Sequence, residues 1–423
     1  MSSRAESSNV EAASSTQPVR LRGPHFKLPA GDESASGESA SSDREVRGNF
    51  SLAEARGLVK DLFTPNPRIY WADFLTTILI GHACYSLTRH MPTLTGGNWA
   101  LQLPLQALTF SICCALYYRA AMFIHELSHL PEKKFTAFRI VWNLLAGIPF
   151  LMPSFTYYTH LDHHRRKTYG THEDGEYVAL ARWRPIWILV FLSQAIWYPP
   201  LAVIRFGLIT PLTWVLPGFR QWVYRHASSL VVDPRYIRPL PSQSDQWMIR
   251  LQEGLCFAYL ASVVGIAWFG FGRLPIPFLT QGLAVGFVLT LVNAIRTLAA
   301  HRWASPGGEV TFVDQMLDSV DLSSKSPLVM LTNPVGLRFH ATHHLFPSLP
   351  YHNMAEAHRR LMAHLPADSP FRQTVEPSLW AAMVKLWRAS AETGASSPAE
   401  ASPMKQPAQQ RETEMSTGTP SHV

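Results

Sequence analysis

Long apolar runs alternate along the chain with polar segments rich in histidine. Four runs are long enough to cross a bilayer, which takes about 20 residues of helix. They begin near Tyr70, Trp99, Leu251 and Ile276 and end near Thr88, Ile124, Gly270 and Ile295. Two more apolar stretches carry interior prolines. Phe138 to Tyr158 contains Pro149 and Pro153, and Ile186 to Leu216 contains Pro199, Pro200 and Pro211. Proline removes a backbone donor and kinks a helix, so both stretches are predicted to be hairpins that dip into one leaflet or lie along the interface.

Polar tails flank this middle. The first fifty residues are rich in Ser, Ala and Glu and lack an apolar targeting segment, and the same composition returns from about Ala391. Neither tail buries enough apolar surface to offset ordering. The predicted organisation is a disordered tail over 1–50, one membrane domain over 51–390 and a second disordered tail over 391–423.

Composition agrees with a membrane protein: 47% of residues are apolar, 16% are charged and 13 are Trp. The net charge of +7 is spread over loops beside apolar runs, with no dense basic block. That pattern suits anionic lipid head groups and argues against nucleic acid. The links after the first and third runs hold only Arg89 and Arg273, whereas Lys133, Lys134, Arg139, Arg165, Arg166 and Lys167 follow the second. Positive loops face the cytosol. The predicted fold is therefore an all-α integral membrane protein with about four transmembrane helices, interfacial or re-entrant hairpins and a cytosolic helical cap. Both termini and the cap face the cytosol, and the setting is a bacterial cytoplasmic membrane. Cys84, Cys113, Cys114 and Cys256 lie inside apolar runs without C-x-x-C spacing, so neither a disulfide scaffold nor a thiolate metal site is indicated.

The chemistry is concentrated in the histidines. His125 and His129 lie in HELSH, His160, His163 and His164 in HLDHH, and His340, His343 and His344 in HATHH. Residues three or four apart share one helix face, so each group can direct two or three imidazoles at one metal region. Asn333-Pro334 is predicted to cap the helix carrying HATHH, and Phe346-Pro347 to end it. His301 follows the inner end of the fourth run. Nine imidazoles are too many for one metal and suit two ions with about four or five ligands each. Zn, Cu, Fe and Ni all accept imidazole. His172, His352 and His358 are read as structural or supporting residues, and Glu126, Asp162, Asp174, Glu176, Asp314 and Asp318 as candidates to accept the free N–H of a ligating ring. Asn293 and Arg296 are costly in lipid and are expected to face the site or the interface.

The three histidine segments, with NPVGLRFHATHHLFPSLPYHN around the last, resemble the histidine boxes of the integral-membrane fatty acid desaturase family. The likeness spans roughly Pro67 to Trp387. It implies an oxygen-dependent di-iron enzyme acting on an acyl lipid, with the eight box histidines as iron ligands and His301 as a further one. Thr297 stands where acyl-CoA members of the family carry Asn, so no acyl-CoA substrate is assigned. Abstracting hydrogen from an unactivated C–H bond requires a redox-active metal, which excludes Zn. No haem-binding HPGG stretch and no cysteine cluster is present, so electrons are expected from a separate ferredoxin or cytochrome b5-type donor, with Arg165, Arg166 and Lys167 as candidate guides. Desaturation is the leading expectation. A membrane di-iron hydroxylase, ketolase or alkane monooxygenase is the alternative, because it uses similar histidine boxes. HELSH also fits the H-E-x-x-H of zinc metalloproteases, for which two further H-x-x-H-H groups are superfluous. A carboxylate di-iron bundle would need a second E-x-x-H near a box, and a non-catalytic metal-binding scaffold would bind metal without oxygen-dependent turnover.

Overall fold

The computed structural model describes residues 50–396, and the architecture is almost wholly helical. The disorder predicted for the tails lies outside these residues, except that the last helix continues to Ser396. A short helix α1 (Leu52–Val59) leads into two long antiparallel helices, α2 (Pro67–Leu94) and α3 (Trp99–His129). Both start on asparagine caps: Asn66 accepts from the Arg68 N–H and Asn98 from the Ala100 N–H. The turn between them uses Gly96 and Gly97 at positive φ. α2 packs along α3 closely enough that a Cβ on Gly81 would sit 2.7 Å from the Tyr117 ring.

Among the described residues, four helices are long and apolar enough to cross a membrane: Trp99–His129, Ile186–Val215, Asp245–Gly270 and Ile276–Ala300. Their lipid-facing sides are bare of protein, with Leu103, Leu189, Trp197 and Phe269 exposed. Pro67–Leu94, predicted as the first crossing, is not among the four, because polar groups dilute it. Those groups are paired within the protein along the helix. Asp73 accepts from Arg119 Nε at 2.8 Å and from the Tyr351 hydroxyl at 2.7 Å, His82 Nδ1 meets the Tyr117 hydroxyl at 2.6 Å, and the Thr88 hydroxyl donates to Thr109 at 2.9 Å. α2 thus runs along α3 while satisfying its polar atoms internally.

The two proline-bearing stretches part ways. After α4 (Glu132–Trp142), a π turn over Asn143–Gly147 reverses the chain before Pro153, and Asn143 clamps the two arms by exchanging hydrogen bonds with Ser154 at 2.9 Å. This is the predicted reversal. A single helical turn, α5 (His160–His163), follows. Ile186–Leu216 is not a hairpin. It forms one bent helix, α6 (Ile186–Ile204) continuing through a π turn at Arg205–Ile209 into α7 (Thr210–Val215). The π turn changes the hydrogen-bond register and leaves Pro211 in the first turn of α7, where its missing N–H costs nothing. Arg205 supports the bend by donating to the Thr210 hydroxyl at 2.8 Å.

An amphipathic helix α8 (Pro217–His226) leads to α9 (Gln243–Gly265) and α10 (Ile276–Ala300), joined by a short turn with Gly272 at positive φ. The chain after α10 forms a cap of short helices: α11 (Phe312–Asp318), α12 (Pro327–Thr332), α13 (His340–Leu345) and α14 (Tyr351–His364). A two-residue parallel pairing of Asp321–Leu322 with Val375–Glu376 ties the cap's two ends together before α15 (Leu379–Ser396). Asn333 does not cap α13. Residues 333–339 form turns with Val335 and Gly336 at positive φ, and α13 starts after Phe339, whose side chain makes no cap bond. Its end at Phe346 is where Pro347 predicts it. Cap and helix ends share one packed region, with Phe346, Leu361 and Phe371 buried against α1.

Candidate metal centre

Three polypeptide segments and one helix end deliver nine histidines to a single buried region. His125 and His129 stand one turn apart at the end of α3, so the helix itself fixes their direction. His160, His163 and His164 come from α5 and its C-terminal residue, His301 follows α10, and His340, His343 and His344 come from α13. Eight are buried, and His129 is half-buried. They divide into two sets whose nitrogens are each mutually within 4.8 Å and could hold a metal ion: His125, His129, His160, His164 and His343, and His163, His301, His340 and His344.

The contacts follow this division. Nε2 atoms approach one another between His160 and His164 at 3.0 Å, and between His164 and His343 at 3.0 Å. In the other set they do so between His163 and His301 at 3.3 Å, His301 and His340 at 2.9 Å, and His340 and His344 at 3.2 Å. Each of these five approaches joins members of one set. Metal–imidazole bonds of about 2.0–2.1 Å place neighbouring ligands about 3 Å apart at right angles, so the observed spacings match edges of two coordination shells. Buried nitrogens with no hydrogen-bond partner remain on His125, His129, His164, His340, His343 and His344. On His125 and His129 the partnerless atoms include Nε2, which fits metal ligation, whereas on His164, His340, His343 and His344 the partnerless atom is Nδ1 and Nε2 faces the cluster; an all-nitrogen donor set suits iron among other transition metals.

Around the rings lie the groups that orient them. His163 Nδ1 meets Asp174 at 2.8 Å and His160 Nδ1 meets Glu176 at 2.9 Å, which turns each Nε2 inward. His301 Nδ1 lies 3.1 Å from the Tyr169 hydroxyl, and the Tyr169 and Tyr177 hydroxyls donate to Asp318 at 2.7 and 2.8 Å. Asp174 is itself fixed by the backbone N–H of Gly170. Gly170 takes φ +68°, and a side chain there would collide with Ser305. Asp321 holds α13 by accepting from the Thr342 N–H at 3.0 Å and its hydroxyl at 2.5 Å, and also meets His358 Nδ1 at 2.7 Å.

Burial sets the protonation states. It is the main force, followed by the charge of neighbouring imidazoles, that holds His160, His164, His340, His343 and His344 well below the ordinary histidine value. His301 is lowered in the same way. At neutral pH these rings keep the free lone pair that a metal needs. His163 is the exception: burial opposes its cation, yet Asp174 more than compensates and raises it. Burial also pushes Glu176 up to about 8 and raises Asp318.

The six candidate carboxylates thus have different roles. Asp174 and Glu176 contact ligand-set rings directly, and Asp318 acts through tyrosines. Glu126 accepts from the Tyr70 hydroxyl at 2.5 Å and the Tyr351 N–H at 3.2 Å, linking α2, α3 and α14. Asp162 pairs with Arg165 and Asp314 caps α11. His352 accepts from the Asn66 N–H, His358 is held by Asp321, and His172 is exposed, so none of the three joins either set. Tyr169, Tyr177 and Asp321 had no signal in sequence spacing, because they are recruited from loops far from the histidines that they support.

A membrane-anchored helical bundle whose buried ends and cap hold two histidine sets is the framework of a membrane oxidoreductase. The chain belongs to the fatty acid desaturase family, which matches residues 98–375 and whose members are di-iron enzymes. It is also 36% identical over 337 residues to a ceramide hydroxylase of Caulobacter vibrioides (strain NA1000 / CB15N), covering 79% of this chain and 92% of the relative.

Proposed function

We propose that this protein is an oxygen-dependent di-iron hydroxylase that inserts one oxygen atom into a C–H bond of a ceramide-type lipid. The observation that carries the reading is the separation of nine clustered histidines, eight of them buried, into sets of five and four. One iron would be held by His125, His129, His160, His164 and His343, and the other by His163, His301, His340 and His344. Iron bound there would supply the oxidising chemistry that no side chain can provide. The protein's own contribution is to orient nitrogen donors through Asp174, Glu176 and Tyr169, to keep water out by burial, and to hold the centre where membrane helices deliver a lipid.

The overall change is balanced as follows: the lipid C–H becomes C–OH, dioxygen supplies one atom to the product and one to water, and two electrons and two protons enter. Electrons come from a separate ferredoxin or cytochrome b5-type donor. Of the basic residues beside the second box, Arg165 is engaged with Asp162 and Arg166 lies over the Phe312 ring, which leaves Lys167 the most available to guide an acidic partner.

Similarity along almost the whole ceramide hydroxylase favours oxygen insertion over the desaturation first expected from the boxes. Desaturation remains the second reading, because the family match carries that name. The two differ in product. Membranes containing the protein, supplied with ceramide, a reductant and isotopically heavy dioxygen, should yield a lipid that has gained one heavy oxygen. Loss of two hydrogens without oxygen would establish desaturation, and no change of ceramide with turnover of another acyl lipid would remove the substrate assignment.

A further inference from the structure

Arg296 lies five residues before His301, about 7.5 Å of helix rise into the apolar part of α10. It is only 6% exposed. Its Nη2 donates to Asn293 Oδ1 at 3.2 Å, its guanidinium faces the Tyr118 hydroxyl, and its Nε is buried without a partner among the described residues. The cation therefore sits buried on α10, about one and a half helical turns before His301. Two other buried arginines show what saturation looks like. Arg205 engages Glu253, the Ser228 hydroxyl and the Ala227 carbonyl, and Arg238 engages two carbonyls and stacks on Tyr224. Among the described residues no carboxylate pairs with Arg296.

A desolvated guanidinium with a spare N–H beside the reaction zone calls for an oxygen acceptor from outside the chain. A reacting carbon in the middle of a hydrocarbon chain would place only methylenes there. We infer that Arg296, steadied by Asn293, binds an acceptor oxygen of the lipid substrate and so directs oxidation to a carbon within a few bonds of that oxygen. The acceptor is an amide carbonyl or hydroxyl of an N-acyl lipid, or the carboxylate of a fatty acid. This rests on the proposed lipid oxidation, and it adds the rule that selects the carbon.

The test is equilibrium binding to the iron-loaded protein kept from reductant, so that nothing turns over. Three probes of matched chain length are compared: an N-acyl sphingoid base, a free fatty acid and an alkane. Arg296→Leu should keep its iron and bind the oxygen-bearing probe about 10- to 100-fold more weakly, with alkane binding unchanged and Arg296→Lys recovering part of the loss. Which of the two oxygen-bearing probes loses affinity identifies the acceptor. Equal loss for alkane and lipid, or no loss at all because water fills the position, overturns the assignment. Should Arg296→Leu not fold, the product map of the unaltered protein decides: oxidation near the polar group supports the role, and mid-chain oxidation contradicts it. Whether that product carries a hydroxyl or a double bond bears on the proposed function alone.

Discussion

The two histidine sets are built by different means. The five-histidine set takes His125 and His129 from the end of a 31-residue helix, where the backbone fixes spacing and direction. Its other three members, His160, His164 and His343, come from the same single turn and short α13 that supply the four-histidine set, which adds only the residue after α10 and has no ligand on a long helix. The orienting groups are distributed accordingly. Tyr169 and Asp174 contact two of the four, whereas His160, through Glu176, is the one member of the five with such an acid contact at hydrogen-bond distance. Where secondary structure supplies precision, few supports are needed; where loops supply the ligands, surrounding acids and tyrosines must provide it.

The largest expected effect comes from removing ligands. His163→Ala or His344→Ala should abolish turnover and lower bound iron while the membrane helices still insert. His129→Ala, which leaves four donors in its set, should retain more iron than either. Elemental analysis beside a turnover assay checks this, and equal iron loss in all three variants would break the comparison. Next come the supports. Asp174→Asn should cost about 10- to 100-fold in metal affinity or activity, and Glu176→Gln less, because the helix-borne ligands of its set remain oriented. Metal titration of the stripped protein reads the difference.

A smaller effect follows from protonation. Six histidines outside the spans have values depressed below the ordinary 6.5, so the unfolded chain takes up protons that the folded protein refuses. The contribution of these six to stability of the metal-free protein should be fully present above about pH 6.5 and be lost as pH drops below it, with His163, raised instead, acting in the opposite sense. Melting temperature against pH measures it, and a melting temperature that rises on acidification would contradict the burial of these rings. The smallest effect is expected from deleting Met1 to Ala40, which should leave turnover unchanged.

How much was legible in the sequence follows the same division. Spacing in HELSH, HLDHH and HATHH singled out the eight box histidines that the structure brings together, because periodicity is a local property. His301 was found from its position after an apolar run. Ile186–Val215 was misjudged because Pro199 and Pro200 are carried inside α6, and because Pro211 was weighed without the π turn and the Arg205 support beside it. The cap on α13 was misplaced because Val335 and Gly336 turn the chain between Asn333 and the helix. Tyr169, Tyr177 and Asp321 were invisible, since their roles arise only when loops more than a hundred residues apart, or short cap segments, pack together.

The most direct test is the metal content of the purified protein. The account predicts about two iron ions per chain, falling when a histidine of either set is replaced. A single metal, or zinc in place of iron with full activity, would contradict it.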